Sequence, residues 1–430
     1  MKILLIMPSG AMHRHKTGNF KRFLRYAPLT LTTLAALVPE DIDAEIEIVD
    51  EGVEVLNDDF QADLVGINAI TGTSKRAYAI ADKARRRGMK VVLGGVHPTL
   101  MPQESAQHAD AVVMGFAEET WPQLIYDFKN GRLQKYYKQP ENASLKNLPF
   151  PRRDLLKKNA YITINSTYAT RSCPNSCRFC VIPIVWGKRA YFRPIKEVIK
   201  EIDNMEGRTL VLIDPNLIAD VEYAKELFTE LAPLKKKWFG LSTMQVTSDE
   251  ELFKLIVKSG CKGLFLGFES IAQATLKDVM KDFNLVKKYK QVVEKLHDNG
   301  IAIQGAFVFG FDQDDRMVFK RTVDFVNELK IDLPRFSVLT PFPGTPIYDS
   351  LKSQGRIVEK DWSLYDGQHV VFQPAKMTAE ELQDGLYWAW KNSYGLSSIF
   401  KRISGTGSSF LVSIVTNLGY KLYADKIAKY

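Results

Sequence analysis

Residues 171–180 read Arg-Ser-Cys-Pro-Asn-Ser-Cys-Arg-Phe-Cys, which spaces Cys173, Cys177 and Cys180 as C-x-x-x-C-x-x-C soon after an apolar, β-type run at 162–167. Three thiolates this close in a short loop converge on one metal site. A structural zinc site needs a fourth ligand. The remaining cysteine, Cys261, is far away and opens an apolar run where a small buried hydrophobe fits. No histidine lies near the loop. Three cysteines suit a four-iron cluster with one iron left open to bind a substrate. Zinc and a disulfide are the competing readings, and the spacing and a reducing compartment weigh against both.

Strand and helix patterns alternate on both sides of this loop. With the run at 162–167, strands are expected at 209–213, 239–242, 263–267, 302–309 and 335–339, with helices between them at 195–204, 223–231, 249–259 and 284–299. Six such units with parallel connections predict a six-unit partial (β/α) barrel. The first third alternates in the same way. Strands are expected at 3–7, 44–49, 64–68, 91–93 and 111–114, helices at 29–38, 77–87 and 119–129, and glycines (Gly94, Gly95, Gly115) at strand ends. That pattern predicts an α/β, doubly wound, Rossmann-like parallel sheet, whose ligands bind beyond the carboxyl ends of the strands. Pro140, Pro149 and Pro151 interrupt regular structure over 136–154. The expected division is 1–140, a linker at 141–164, a barrel at 165–375, and a C-terminal helical region at 376–430. In that last region, aromatic residues cluster at Tyr387, Trp388, Trp390 and Tyr394, and an apolar run at 410–418 is flanked by Lys401, Arg402 and Lys421. Such a helix covers the barrel or a domain interface, or else lies on a membrane surface.

The chain has 430 residues, 45% hydrophobic and 25% charged, which is enough to bury large cores without staples. The start, MKILLIMPSG, is too short in apolar residues for a signal peptide, and no run approaches a bilayer-spanning length. The expected location is the cytoplasm, where thiols stay reduced. A net charge of +8 is mild for this length, and no nucleic-acid partner is expected.

The cysteine spacing, with Phe179 before the last cysteine, resembles the loop of the radical SAM superfamily, whose members cleave S-adenosylmethionine (SAM). Later segments follow in the family's order: Ile213-Asp-Pro-Asn-Leu217, Leu266-Gly-Phe-Glu-Ser270, Gly305-Ala-Phe-Val-Phe-Gly310 and Pro341-Phe-Pro-Gly-Thr-Pro346. The resemblance spans about 165–375. It implies that Cys173, Cys177 and Cys180 hold a 4Fe-4S cluster, that SAM chelates the open iron, and that one-electron reduction releases a 5′-deoxyadenosyl radical. A donor such as flavodoxin or ferredoxin would supply the electron. Asp214, Asn216, Ser242, Gln245 and Glu269 sit at expected strand ends, the functional rim of a barrel, and are the candidates for SAM contact.

Residues 1–140 resemble the cobalamin-binding domain that precedes many radical SAM cores. The likeness rests on Gly94-Gly-Val-His-Pro-Thr99, Pro102-Gln-Glu104, Ala109-Asp-Ala-Val-Val-Met-Gly115, Pro28-Leu-Thr-Leu31 and Glu118-Glu-Thr-Trp121. It implies a nucleotide tail near Thr71, Gly72, Gly94, Gly95 and Gly115. The D-x-H-x-x-G motif that ligates cobalt from below in some cobalamin proteins is absent, and His97 follows a glycine pair instead. Gly115-Phe-Ala-Glu118 also departs from the family's usual glycine–glutamate–glycine–glutamate.

The family resemblance implies methylation of an unactivated carbon through methylcobalamin, using two SAM molecules. The alternative is a cyclase or rearrangement enzyme with the same cofactors and no methyl transfer. Methylthio transfer to RNA would call for cysteines in the N-terminal domain, and the first 172 residues have none. A non-catalytic corrin-binding module would not call for the polar residues along the barrel rim. The substrate class is a small or lipid-like molecule, and the basic, apolar tail makes peripheral membrane contact conceivable.

Overall fold

The structure, a computed structural model, describes residues 1–10, 27–403 and 410–427, with side chains described outside 410–412. The first sheet contains β1 (Lys2–Met7), β2 (Glu45–Asp50), β3 (Leu64–Asn68), β4 (Lys90–Gly94), β5 (Ala111–Met114) and β6 (Tyr136–Lys138) in the order β2-β1-β3-β4-β5-β6, all parallel. The interior of β1, Ile3–Leu4–Leu5–Ile6, is buried on both faces, as a central strand covered by helices on each side requires. The strand at 136–138 begins the segment read above as interrupted. It is short because Pro140 cannot extend a hydrogen-bonded edge.

The second sheet contains β7 (Ser166–Thr167) and, after the hairpin β8 (Thr170–Arg171) and β9 (Tyr191–Phe192), strands β10 (Thr209–Leu212), β11 (Lys237–Ser242), β12 (Cys261–Glu269), β13 (Ala302–Phe309) and β14 (Leu333–Val338). Its order is β14-β13-β12-β11-β10-β7, parallel throughout, which makes an open six-strand barrel. Only 166–167 of the expected 162–167 strand pairs. Ile164 instead accepts from the Ser166 amide, a tight turn that ends the ladder. The outer helices are amphipathic, as with Ile195–Asp203, which buries Ile195, Val198 and Ile202 at helical spacing. Inside, Phe268 and Phe336 each stack on Phe307, at 5.1 and 5.9 Å between ring centroids.

Helix Ala379–Ser393 starts in a capping box. Thr378 Oγ1 accepts from the Glu381 amide, and Glu381 accepts from the Thr378 amide, an arrangement contributing about 1 kcal/mol. Its buried side lies on β14, where Trp390 Nε1 donates to Phe336 O at 3.0 Å and Tyr394 Oη to Pro334 O at 2.8 Å. The tail therefore covers the barrel edge.

The two sheets are tied together. Trp362 Nε1 donates to Glu104 at 3.1 Å, Lys75 pairs with Asp361 at 2.5 Å, and Tyr161 Oη donates to Asp50 at 3.1 Å. These contacts join the carboxyl-end side of the first sheet to the segment after β14 and to the segment just before β7.

Candidate active site

The hairpin β8–β9 brackets the cysteine loop. Ser172 leaves β8 in the left-handed region (φ 63°), and its hydroxyl donates to Gly187 O at 2.5 Å, closing the base of the loop. The far side is stitched to the carboxyl rim of the barrel. The Arg178 amide donates to Val279 O at 3.0 Å, its guanidinium reaches Asp278 O at 3.2 Å, and its carbonyl accepts from the Ile347 amide at 3.2 Å. Asp214, after β10, holds the approach to the loop. Its Oδ1 accepts from the amides of Ala169 (2.9 Å) and Thr170 (2.5 Å) and from the Thr170 hydroxyl (2.8 Å).

Burial pushes all three loop thiols upward, that of Cys180 to about 12. Metal must therefore displace protons, and loading couples to pH. Among the described residues, no three His, Cys, Asp or Glu side chains converge where a single ion would sit. A cluster asks for something different, because each thiolate binds its own iron. The donor set fits an iron–sulfur cluster. Cys261 is buried at the start of β12, far from this chemistry in the chain.

Glu269 ends β12 with φ 60°, a strained conformation for a side chain of its size. Lys281 Nζ lies 2.6 Å from its Oε1, and both are buried. Burial alone would lower the Lys281 pKa, but the Glu269 charge and bond outweigh it, and Lys281 titrates above its ordinary value. Asn216 is buried and its Oδ1 accepts from the Ile218 amide at 3.3 Å. Ser242 is buried at the end of β11, and Gln245 is exposed in the following turn. Four buried polar atoms near these strand ends have no protein partner: Asp214 Oδ2, Ser242 Oγ, Thr243 Oγ1 and Asn284 Oδ1. Unmatched groups of this kind are costly unless a ligand or water meets them, so the rim has the chemistry to receive a polar molecule such as SAM.

A cleft open to solvent lies over the carboxyl ends of β3, β4 and β5. Gly94, Gly95 and Gly115 line it, with Thr30, Thr33 and Trp121 behind them. Gly95 has φ 100°, and a Cβ there would meet Asn68 Oδ1 at 2.2 Å, so only glycine fits this turn. Arg171 and Trp186 close the cleft from the barrel side. A broad opening floored by backbone suits a large flat cofactor. Thr71 and Gly72 are not on this lining. They form a buried turn against Tyr365 and Asp366. His97 is fully buried, with Nδ1 3.3 Å from Thr71 Oγ1 and Nε2 3.4 Å from Glu104 Oε1. Its bonds help hold the Glu104 carboxyl down at about 2. Both ring nitrogens are thus occupied, and His97 is not among the residues lining the cleft.

Sequence reasoning missed Arg171, Trp186 and Lys281 as site residues. Arg171 stands two positions before the first cysteine, but which way it turns depends on the fold. Lys281 is twelve positions after Glu269, and nothing in that spacing announces an ion pair.

An open barrel with three thiols at its rim, faced by a glycine-floored cleft on a second sheet, defines an enzyme that pairs an iron–sulfur cluster with a large planar cofactor. The chain matches the family model of the radical SAM superfamily over residues 167–326 and that of the B12 binding domain over 21–125. It is 33% identical to the bacteriochlorophyllide d C-12(1)-methyltransferase of Chlorobaculum tepidum, covering 88% of this chain and 85% of that one. It is 31% identical to the bacteriochlorophyllide d C-8(2)-methyltransferase of the same organism, covering 91% of both. The radical SAM methyltransferase TsrM of Kitasatospora setae, solved with cobalamin and a [4Fe-4S] cluster, shares the fold at 17% identity with a TM-score of 0.67 over 99% of each chain. The chain belongs to the cobalamin-dependent radical SAM enzymes, as a carbon methyltransferase with a 4Fe-4S cluster, SAM and cobalamin as its cofactors.

Proposed function

We propose that this enzyme methylates a carbon on a side chain of a tetrapyrrole macrocycle. The observation that carries the substrate class is the end-to-end similarity to two bacteriochlorophyllide methyltransferases. When bound, the cluster and SAM supply a radical source and the corrin supplies a methyl donor. The chain's own residues position these groups. Cys173, Cys177 and Cys180 hold the cluster in a loop anchored by Asp214 and Arg178. Asp214 Oδ2, Ser242 and Glu269, the last charge-balanced by Lys281, are the contacts for SAM, with Asn216 and Gln245 on the same rim. Gly94, Gly95 and Gly115 let the corrin approach the backbone of the first sheet, with Thr71 and Gly72 beyond the cleft's edge. Trp186 on the cleft lining packs with Phe116, which meets Tyr191 edge-on, and this aromatic group would help exclude water from the bound cofactors. A flavodoxin- or ferredoxin-type protein delivers the electron, in a reducing cytoplasm.

The test is anaerobic turnover with methyl-deuterated SAM and a bacteriochlorophyllide-type acceptor. Each turnover should give one labelled methylated product, one S-adenosylhomocysteine and one 5′-deoxyadenosine. Converted product with 5′-deoxyadenosine, but with no added methyl and no S-adenosylhomocysteine, would overturn the reading in favour of cyclisation or rearrangement.

A further inference from the structure

The C-terminal helices Ala379–Ser393, Leu396–Ile403 and Phe410–Ala424 meet at a buried joint beside the barrel edge. The Arg402 guanidinium, buried between them, donates to Ser393 O and, at 2.8 Å, to Asn417 Oδ1. Asn417 Nδ2 donates in turn to Asp332 O, just before β14. Each helix thus spends its inner side on β14 and its neighbours. The outer sides of such helices are ordinarily polar, as on Ala379–Ser393 apart from Trp388, but the last two helices expose apolar residues as well.

On helix Phe410–Ala424, the exposed positions Val415, Leu418 and Leu422 follow helical spacing and form an apolar stripe. On helix Leu396–Ile403, Leu396 is 57% exposed and Phe400 72%. Trp388 is exposed on the helix before it. Six of the nineteen exposed large hydrophobic residues among those described fall within 388–422. This is a concentration rather than the scatter of a normal surface. Charge accompanies it. Between 388 and 427 the basic residues other than the buried Arg402 are Lys391, Lys401, Lys421 and Lys426, against the single acid Asp425, which pairs with Lys421; Glu380, Glu381 and Asp384 lie earlier on the helix that carries Trp388. Lys391 and Lys426 are exposed. No helix among the described residues is long and apolar enough to cross a membrane.

Apolar helix faces that include a tryptophan, edged by lysines on short amphipathic helices, match the chemistry of an anionic lipid surface. We propose that the outer face of these helices docks the enzyme on an anionic membrane, with Trp388, Leu396, Phe400, Leu418 and Leu422 entering the headgroup boundary and the lysines meeting lipid phosphates. This contact is separate from the cofactor sites and does not depend on the substrate class.

The test is flotation of the full-length, anaerobically purified protein with two kinds of vesicle, phosphatidylcholine alone and phosphatidylcholine mixed with phosphatidylglycerol. The enzyme should float with the mixed vesicles far more than with the neutral ones. Lys391→Gln with Lys426→Gln should weaken that binding by about fivefold per charge, and Phe400→Ser with Leu418→Ser by tenfold or more. All four positions are exposed, so the variants should fold, which retained cobalamin binding verifies. Wild-type protein that ignores the anionic vesicles, or binding that both pairs of substitutions leave intact, would overturn the proposal. So would a concentration-dependent dimer that Phe400→Ser with Leu418→Ser dissolves, because the patch would then be covered by a second copy.

Discussion

The Arg171 guanidinium lies 2.6 Å from the buried carboxylate of Glu118, joining the strand that leads into the cysteine loop to the loop after β5 at the glycine-floored cleft. Tyr168 Oη donates to the same carboxylate at 3.0 Å, and the guanidinium stacks 4.2 Å from the Tyr168 ring and 5.3 Å from that of Phe116. The cysteine loop and the cleft therefore share a charged joint.

Removing one partner of a buried ion pair leaves the other uncompensated, at a cost of about 3–5 kcal/mol. Glu118→Gln and Arg171→Gln should each lower stability in urea unfolding and weaken hydroxocobalamin binding. The double variant should lose less than the sum, because the second change removes an orphaned charge. Arg171→Lys should rescue only partly, since an ammonium cannot stack between two rings as a guanidinium does. Additive losses would mean that the pair is not a unit.

Cys173→Ala, Cys177→Ala and Cys180→Ala should each abolish the cluster in reconstituted protein, measured by iron and sulfide analysis and by the visible absorbance. Cys261→Ala should keep a full cluster and lose about 1 kcal/mol of stability from the small cavity it leaves. Loss of iron in Cys261→Ala alone would refute the ligand set.

His97→Ala should leave the absorption and EPR spectra of bound cobalamin unchanged, because both ring nitrogens are turned to Thr71 and Glu104. It should still destabilise the protein by about 2 kcal/mol, since it empties a buried site and strips bonds from buried Thr71 and half-buried Glu104. A shifted cobalt spectrum would make His97 a ligand.

Asp214 provides a pH-dependent test. Burial raises its carboxyl to about 6, against the bonds from Thr170 and Ala169 that lower it. Between its unfolded value near 3.8 and about 6, the folded state holds a proton that the unfolded state has lost. Stability from this group therefore falls as pH rises through that window, by about 3 kcal/mol in all. Asp214→Asn, which can still accept the three bonds at Oδ1, should gain on the wild type as pH climbs from about 4 to 7.5 in unfolding of the cluster-free protein. A pH-independent difference would show that Asp214 is ionised in the fold throughout.

Several features were legible in the chain because they are local. The run Ile3–Leu4–Leu5–Ile6 is apolar on both faces and can only be a central parallel strand. The amphipathic repeat of 195–203 makes a helix. Three cysteines within eight positions are close in any fold. The short helices Val96–Leu100 and Pro102–His108 were not legible, because each is too short to show a period. The placement of Thr71 and Gly72 could not be read either, since their neighbours Tyr365 and Asp366 lie almost three hundred positions away.

By itself, the sequence determined the two strand–helix series, the three-thiol loop and the glycine turns, because periodicity, spacing and backbone sterics act within a few residues. Only the tertiary structure decided what stands across from them. It turned Arg171 into the cleft against Glu118, set Lys281 on Glu269, and engaged His97 with Glu104 and Thr71. It also left apolar residues exposed on the outer sides of the last two C-terminal helices, while the inner face of Ala379–Ser393 closed the barrel edge. The physical reason is that burial, ion pairing and exposure are relations between distant segments, and their energies exist only once packing has brought those segments together.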